Sequence, residues 1–238
     1  MAKAKERESV SAGLQDVRWL DGASALDTLL SLRARKLIIF LLAVFPAVTV
    51  FFFIKYFGVN VAFGDQWDFV PFLEKMFTGQ LHFSDFFAQH NEHRLIFPRA
   101  VMAVLALLTH YNNVAEMYFS LFVMCLTGYL LFLICRRALG TSEAALWAFI
   151  PISLLVFSLK QSGNILWGWQ IQIFMLTFFF LAAVYLIDTL SGSWKRFLLA
   201  VVSSIGTTFS FANGMLAWPV CLLQLLLEGR SGQHTVGK

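Results

Sequence analysis

The sequence predicts an all-α, polytopic membrane protein: about six transmembrane helices, with surface helices folded into the first external loop. Three observations predict it. The chain is 58% hydrophobic and only 13% charged, against about 25% charged residues in a soluble domain. Its apolar residues gather into runs near the ~20 that one crossing needs. Most of its Lys and Arg outside the first loop collect on one side of the bilayer once the chain is threaded through it. Twenty-six phenylalanines are hard to bury in a soluble core of this length, whereas acyl chains take them up without burial.

The elements follow in order. Met1 to Lys36 is a basic lead carrying Lys3, Lys5, Arg7, Arg18, Arg33, Arg35 and Lys36, with a short amphipathic stretch, Leu20 to Leu32, suited to a membrane surface. This cationic excess marks the cytoplasmic side and is not a nucleic-acid footprint. Leu37 to Phe57 lacks a small-residue cleavage site and follows a long polar lead, so it reads as a permanent anchor. Further spans are Val114 to Cys135, Ala144 to Leu159, Ile171 to Leu190, Phe197 to Phe211 and Met215 to Leu227, the last two short and divided by Asn213-Gly214. The transmembrane domain therefore covers 37–228 and a cytoplasmic tail 229–238.

Leu95 to Thr109 needs a separate judgement. Its uninterrupted apolar part, Ala100 to Leu108, is about half a crossing, and Arg94, Pro98 and Arg99 occupy its first turns. If it stays outside, Arg136-Arg137, Lys195-Arg196 and Arg230 share a side with the basic lead, as positive-inside asymmetry requires. It is placed as an interfacial helix with Arg94 and Arg99 towards headgroups. Both termini are then cytoplasmic, and 58–113 is one large external loop. Trp67, Trp167 and Trp169 fall at the outer boundary and Trp194 at the inner one, where amphipathic rings prefer to sit. Cys125, Cys135 and Cys221 lie inside apolar runs with no paired spacing, which suggests neither disulfides nor a zinc site.

The external loop gathers Asp65, Asp68, Glu74, His82, Asp85, His90, Glu92, His93, Arg94 and Arg99, the densest ionisable stretch after Lys36. Polar groups held at a bilayer surface mark a substrate path. Asp65 and Asp68, three apart, share one face if Gly64 opens a helix, and Asp65 reads either as an N-cap or as a catalytic carboxylate. His90-Asn91-Glu92-His93-Arg94 offers imidazole, carboxylate and guanidinium to an anionic headgroup, with Arg94 suited to phosphate. It is not an HExxH arrangement, and no metal is assigned. On the same side, Asn164, Trp167, Trp169 and Gln170 combine amides and aromatic faces that suit a sugar, or else form an ordinary aromatic belt. No phosphate-binding glycine loop, dinucleotide fingerprint or GxSxG elbow is present, so no cofactor is implied.

The order of these parts resembles the N-terminal part of GT-C fold glycosyltransferases, in particular the bacterial protein mannosyltransferase and aminoarabinose transferase relatives. The resemblance rests on a first span, then Gly64-Asp65-Gln66-Trp67-Asp68-Phe69, then a polar motif opening a surface helix at His90 to Arg99, then a helix ending in Arg136-Arg137. It covers Leu37 to Arg137, with Gln66 where the family's acidic pair has glutamate and His90-Asn91-Glu92-His93 where it has a Pro-Pro motif. It implies transfer of a sugar from a polyprenyl-phosphate carrier to an acceptor on the outer face of the bacterial inner membrane. By the same resemblance Asp65 is the base, and Arg94 with His90 or His93 steadies the leaving phosphate; Asp68 has no exact counterpart in that family, and Asp68 as a second catalytic carboxylate and Glu92 and Arg99 as substrate contacts are read from the loop itself. Such enzymes carry more spans, so by this resemblance the chain reads as a truncated form, a partner-dependent half or a non-catalytic relative. The alternative is a non-catalytic lipid-linked glycan-binding or flippase-like protein, whose mark would be polar, Gly/Pro-broken helices near the midplane; Pro46, Pro151 and Ser203 to Thr208 are the mild signs of that.

Overall fold

A computed structural model describes residues 32–235, with side chains for 34–227. Residues 1–31, which hold most of the basic lead and, Leu32 aside, the expected surface helix at Leu20–Leu32, lie outside the described residues; the end of the lead, Leu32 to Lys36, is helical and continuous with the first apolar run. The chain divides after Leu42 into two compact units. Of the first, only the opening turns of a helix are described; the core and the candidate site belong to the second.

The described residues are helical, with no strand among them. The helices are α1 Leu32–Phe57, α2 Val70–Phe77, α3 Ile96–Thr109, α4 Asn113–Leu139, α5 Ser142–Val156, a single turn α6 Ser162–Ile165, α7 Ile171–Asp188, α8 Trp194–Thr208 and α9 Ala217–Thr235. Four stretches are long and apolar enough to cross a membrane: Ala34–Phe57, Asn113–Leu139, Ser142–Ile165 and Gly168–Asp188. Of the two expected spans, Phe197–Phe211 corresponds to the 15-residue α8, whose apolar character is diluted by Ser203, Ser204, Gly206, Thr207 and Thr208, and Met215–Leu227 lies in a shorter apolar stretch, Ala212–Leu227. The expected tail 229–238 begins instead as a continuation of α9 to Thr235.

Local chemistry explains the boundaries. Asn112 caps α4 by accepting the Val114 N–H at 2.9 Å. Gly140 closes it at φ 73°, the left-handed conformation that glycine tolerates best. Thr141 then caps α5 through the Ala144 N–H. His110 and Tyr111 both take positive φ, which turns the chain sharply from α3 into α4. α8 packs on α7 through its small residues; a Cβ on Gly206 would come within 2.9 Å of the Phe179 ring. Ser153 in α5 donates to the Ala43 carbonyl of α1 at 2.6 Å, a polar tie between apolar helices.

The main hydrophobic core lies against the loop that joins α1 to α4. Phe69, Phe72 and Leu73 of the loop, Leu95 and Met102 at α3, Met117 and Leu121 of α4 and Trp169 with Ile171 before and at the start of α7 form one cluster. Phe69 stacks on Phe72 at 4.9 Å and Phe72 meets Phe86 edge-on at 5.0 Å. The loop is thus a packed cap on the helices, which is what allows it to hold side chains in fixed places.

Candidate functional site

The acidic motif forms a 3₁₀ turn, Gly64–Phe69, running straight into α2. Gly64 opens it at φ +55°, and a Cβ there would come within 3.0 Å of the Trp167 ring, so glycine is required twice over. The expected capping by Asp65 is absent: the turn has no cap from a hydroxyl or carboxylate, and Gln66 Oε1 instead accepts the Phe63 N–H at 3.1 Å. Asp65 and Asp68 do share a face, and both remain about half exposed or more, at 52% and 66%.

Between them sits His90, only 8% exposed. Its Nε2 lies 3.6 Å from Asp65 Oδ2 and its Nδ1 3.3 Å from Asp68 Oδ2. A neutral imidazole can point its N–H at only one of these carboxylates, while an imidazolium serves both. The ring packs edge-on against Trp169 at 5.0 Å. Its backbone is fixed by a tight turn in which His90 and His93 exchange both N–H···O bonds at 2.9 Å, with Asn91 at φ +49°. Asparagine tolerates that conformation better than most residues.

Behind the carboxylates lies a second layer that sequence reading missed. Gln66 is 1% exposed, and its amide nitrogen donates to Asn113 Oδ1 at 2.7 Å and to Glu116 Oε2 at 3.0 Å. Asn113 is itself held through its backbone N–H on Asn60 Oδ1 at 2.8 Å. Glu116 fits because residue 168 is glycine: a Cβ there would lie 2.2 Å from Glu116 Oε2. The available signal was Glu116 itself, an ionisable residue in the first turn of an apolar span. Beside it, burial first and then the Glu116 carboxylate push the Tyr111 phenol up to about 12.

The other expected site residues are distributed more widely. Arg94 is exposed and donates to the Phe87 carbonyl at 3.1 Å. Arg99, expected towards headgroups, is turned inward at 7% exposure, and its guanidinium clamps the Phe86 and Ala88 carbonyls. Burial lowers its proton affinity, but guanidinium remains charged. His93 joins the loop to the α8–α9 connection: Nδ1 accepts the Ala212 N–H at 3.2 Å and the ring stacks on Phe211 at 4.1 Å. Glu92 is exposed, 3.8 Å from His93 Nε2. Asp85 pairs with Lys75 at 2.7 Å; that hydrogen bond, then the His82 N–H, hold its carboxyl below the usual range.

In the connection between α5 and α7 Trp167 donates Nε1 to the Phe63 carbonyl at 2.9 Å. Trp169 and Gln170 are buried, and Trp169 Nε1 and Gln170 Oε1 have no hydrogen-bond partner among the described residues. Asn164 lies with Lys160 and Gln161 at the polar rim of an apolar groove of about 680 Å³ between α4, α5 and α7. Among the described residues no three His, Cys, Asp or Glu side chains are placed to hold one metal ion. Compared with family models, curated proteins and solved structures, the chain gives no match.

Proposed function

We propose that the protein is a GT-C-like glycosyltransferase of a bacterial inner membrane, with six crossings, both termini cytoplasmic and the Asp65 site on the outer face. The observation that carries this reading is His90, buried and set between two outward-facing carboxylates of a distant turn. Such an arrangement suits a carboxylate base oriented by an imidazole. In the proposed step an acceptor hydroxyl gives its proton to Asp65 as its oxygen bonds to the sugar anomeric carbon. The carbon–oxygen bond to the carrier phosphate breaks, and the electron pair leaves with the polyprenyl phosphate. Arg94, exposed and with N–H groups to spare beyond the one on Phe87, meets that negative charge.

The test is donor turnover. Purified protein in phosphatidylethanolamine–phosphatidylglycerol vesicles is given radiolabelled hexosyl and pentosyl polyprenyl phosphates with hydroxyl acceptors. Label should move from lipid to acceptor, and His90→Ala, which removes the group that orients the base and not the base itself, should slow this by about tenfold or more, less than the roughly hundredfold to ten-thousandfold of a proton-transfer group. No transfer from either donor class, or equal transfer by His90→Ala, overturns the reading.

A further inference from the structure

We infer that the buried Gln66–Glu116 pair is a positioning device: it fixes the turn bearing Asp65 and Asp68 to the outer end of α4 and thereby sets where both carboxylates meet His90. The inference rests on the transferase reading for its consequence, though not for its geometry. Gln66 lies between the two acids in sequence but points the opposite way, 1% exposed where they are 52% and 66%. Its amide has no spare valence of the right kind. Oε1 takes the Phe63 N–H, and the two Nε2 hydrogens go to Asn113 and Glu116. An amide with both ends engaged cannot rotate without breaking buried bonds, so the turn on either side of it is held in rotation as well as in depth.

The pairing is also chemically directional. The amide at position 66 donates to Glu116 while accepting from Phe63, whereas an ionised carboxylate there would accept from Phe63 and have no hydrogen to give Glu116. The cradle is complete on the third side, where any side chain at 168 would meet Glu116 Oε2 at 2.2 Å and Gln66 Nε2 at 3.1 Å. A network whose only task was to stabilise the helices would tolerate any satisfied pairing. A positioning network must restore the same geometry at Asp65, and exchanging the partners does so: the amide, now carried at position 116, donates to the carboxylate at position 66, and the Asn113 amide turns to donate as well.

The experiment is therefore a swap, comparing wild type, Gln66→Glu, Glu116→Gln and the double variant for transfer kinetics, melting temperature and hydrogen exchange of the peptide spanning 63–69. Gln66→Glu sets two carboxylates face to face; kcat should fall about a hundredfold with KM little changed, and the peptide should lose protection. The double variant should recover protection and come within about tenfold of wild type, while Glu116→Gln, whose amide oxygen still accepts, stays within about threefold. If Gln66→Glu does not fold, Glu116→Ala takes its place, with a kcat loss of about tenfold expected. Normal kcat in a folded Gln66→Glu or Glu116→Ala, or a double variant that regains protection yet remains as slow as the single, overturns the inference and leaves the transferase reading standing. A wild type that transfers nothing while the exchange pattern follows the swap retires the transferase reading and keeps the device.

Discussion

Replacing Gly168 by alanine perturbs the site without touching a charged group. The added Cβ would lie 2.2 Å from Glu116 Oε2, 2.9 Å from Glu116 Cβ and 3.1 Å from Gln66 Nε2. The first of these atoms ends a flexible side chain, but the second does not, so the Glu116 stem must move and take its carboxylate away from Gln66. Overpacking of this kind costs about 1–3 kcal/mol, and a strained or lost buried hydrogen bond adds about 1–3 kcal/mol. Gly168 is not among the residues with positive φ, so backbone strain does not contribute. The assay is thermal unfolding in detergent, with Gly163→Ala as the reference. Gly163 lies in the same connection, and a Cβ there meets nothing within 4 Å. Gly168→Ala should melt several degrees lower while Gly163→Ala stays near wild type. Indistinguishable melting of the two variants would refute the cradle that residue 168 is argued to form.

Other outcomes follow from the same structure. Arg94→Lys and Arg94→Ala should weaken binding of polyprenyl phosphate while leaving insertion intact, since lysine lacks the bidentate fork; unchanged affinity in both removes Arg94 from the site. The Asp85 carboxyl titrates lower folded than unfolded, so its pairing with Lys75 stabilises the loop above about pH 4 and is lost as pH falls through the folded value. Protection of the segment 82–88, with exchange rates referred to the intrinsic rate at each pH, should accordingly fall on acidification in wild type, and Lys75→Gln should blunt that pH dependence; identical protection profiles contradict it. On a cysteine-free background, a probe cysteine at Gln80 should react with an impermeant reagent in intact cells while one at Thr141 is shielded, and reaction at Thr141 would mean that α3 crosses the membrane.

The helical class and the strongest apolar elements were legible because lipid imposes a simple rule on length and composition. Leu37 to Phe57 and Val114 to Cys135 fall within α1 and α4, and Leu95 to Thr109 forms the separate short helix α3. α8 was harder, since small polar residues that allow close helix contact also dilute the apolar signal that marks a span. At the site, the i,i+3 spacing correctly placed Asp65 and Asp68 on one face, whereas the position of Asp65 beside Gly64 suggested a cap that Gln66 supplies instead. The roles of His90 and His93 were not separable in sequence. They differ only in what the fold brings to them: two carboxylates and Trp169 for one, the Ala212 N–H and Phe211 for the other. The Gln66–Glu116 pair joins residues 50 positions apart and is set by tertiary packing alone. Only the oddity of a glutamate at the head of an apolar helix announced it.

The central claim is that Asp65 is the carboxylate that takes the acceptor proton. Because the 3₁₀ turn is capped without it, Asp65→Asn should leave the loop and the melting temperature unchanged. Asparagine cannot accept the proton, so transfer from a polyprenyl-phosphate sugar should fall about a hundredfold to ten-thousandfold. Asp68→Asn, which keeps Asp65 and alters only the second carboxylate at His90, should lose less. Measured side by side on purified wild type and both variants, a large loss confined to Asp65→Asn at constant melting temperature is the predicted result; equal turnover, or a loss that merely tracks a lower melting temperature, contradicts the account.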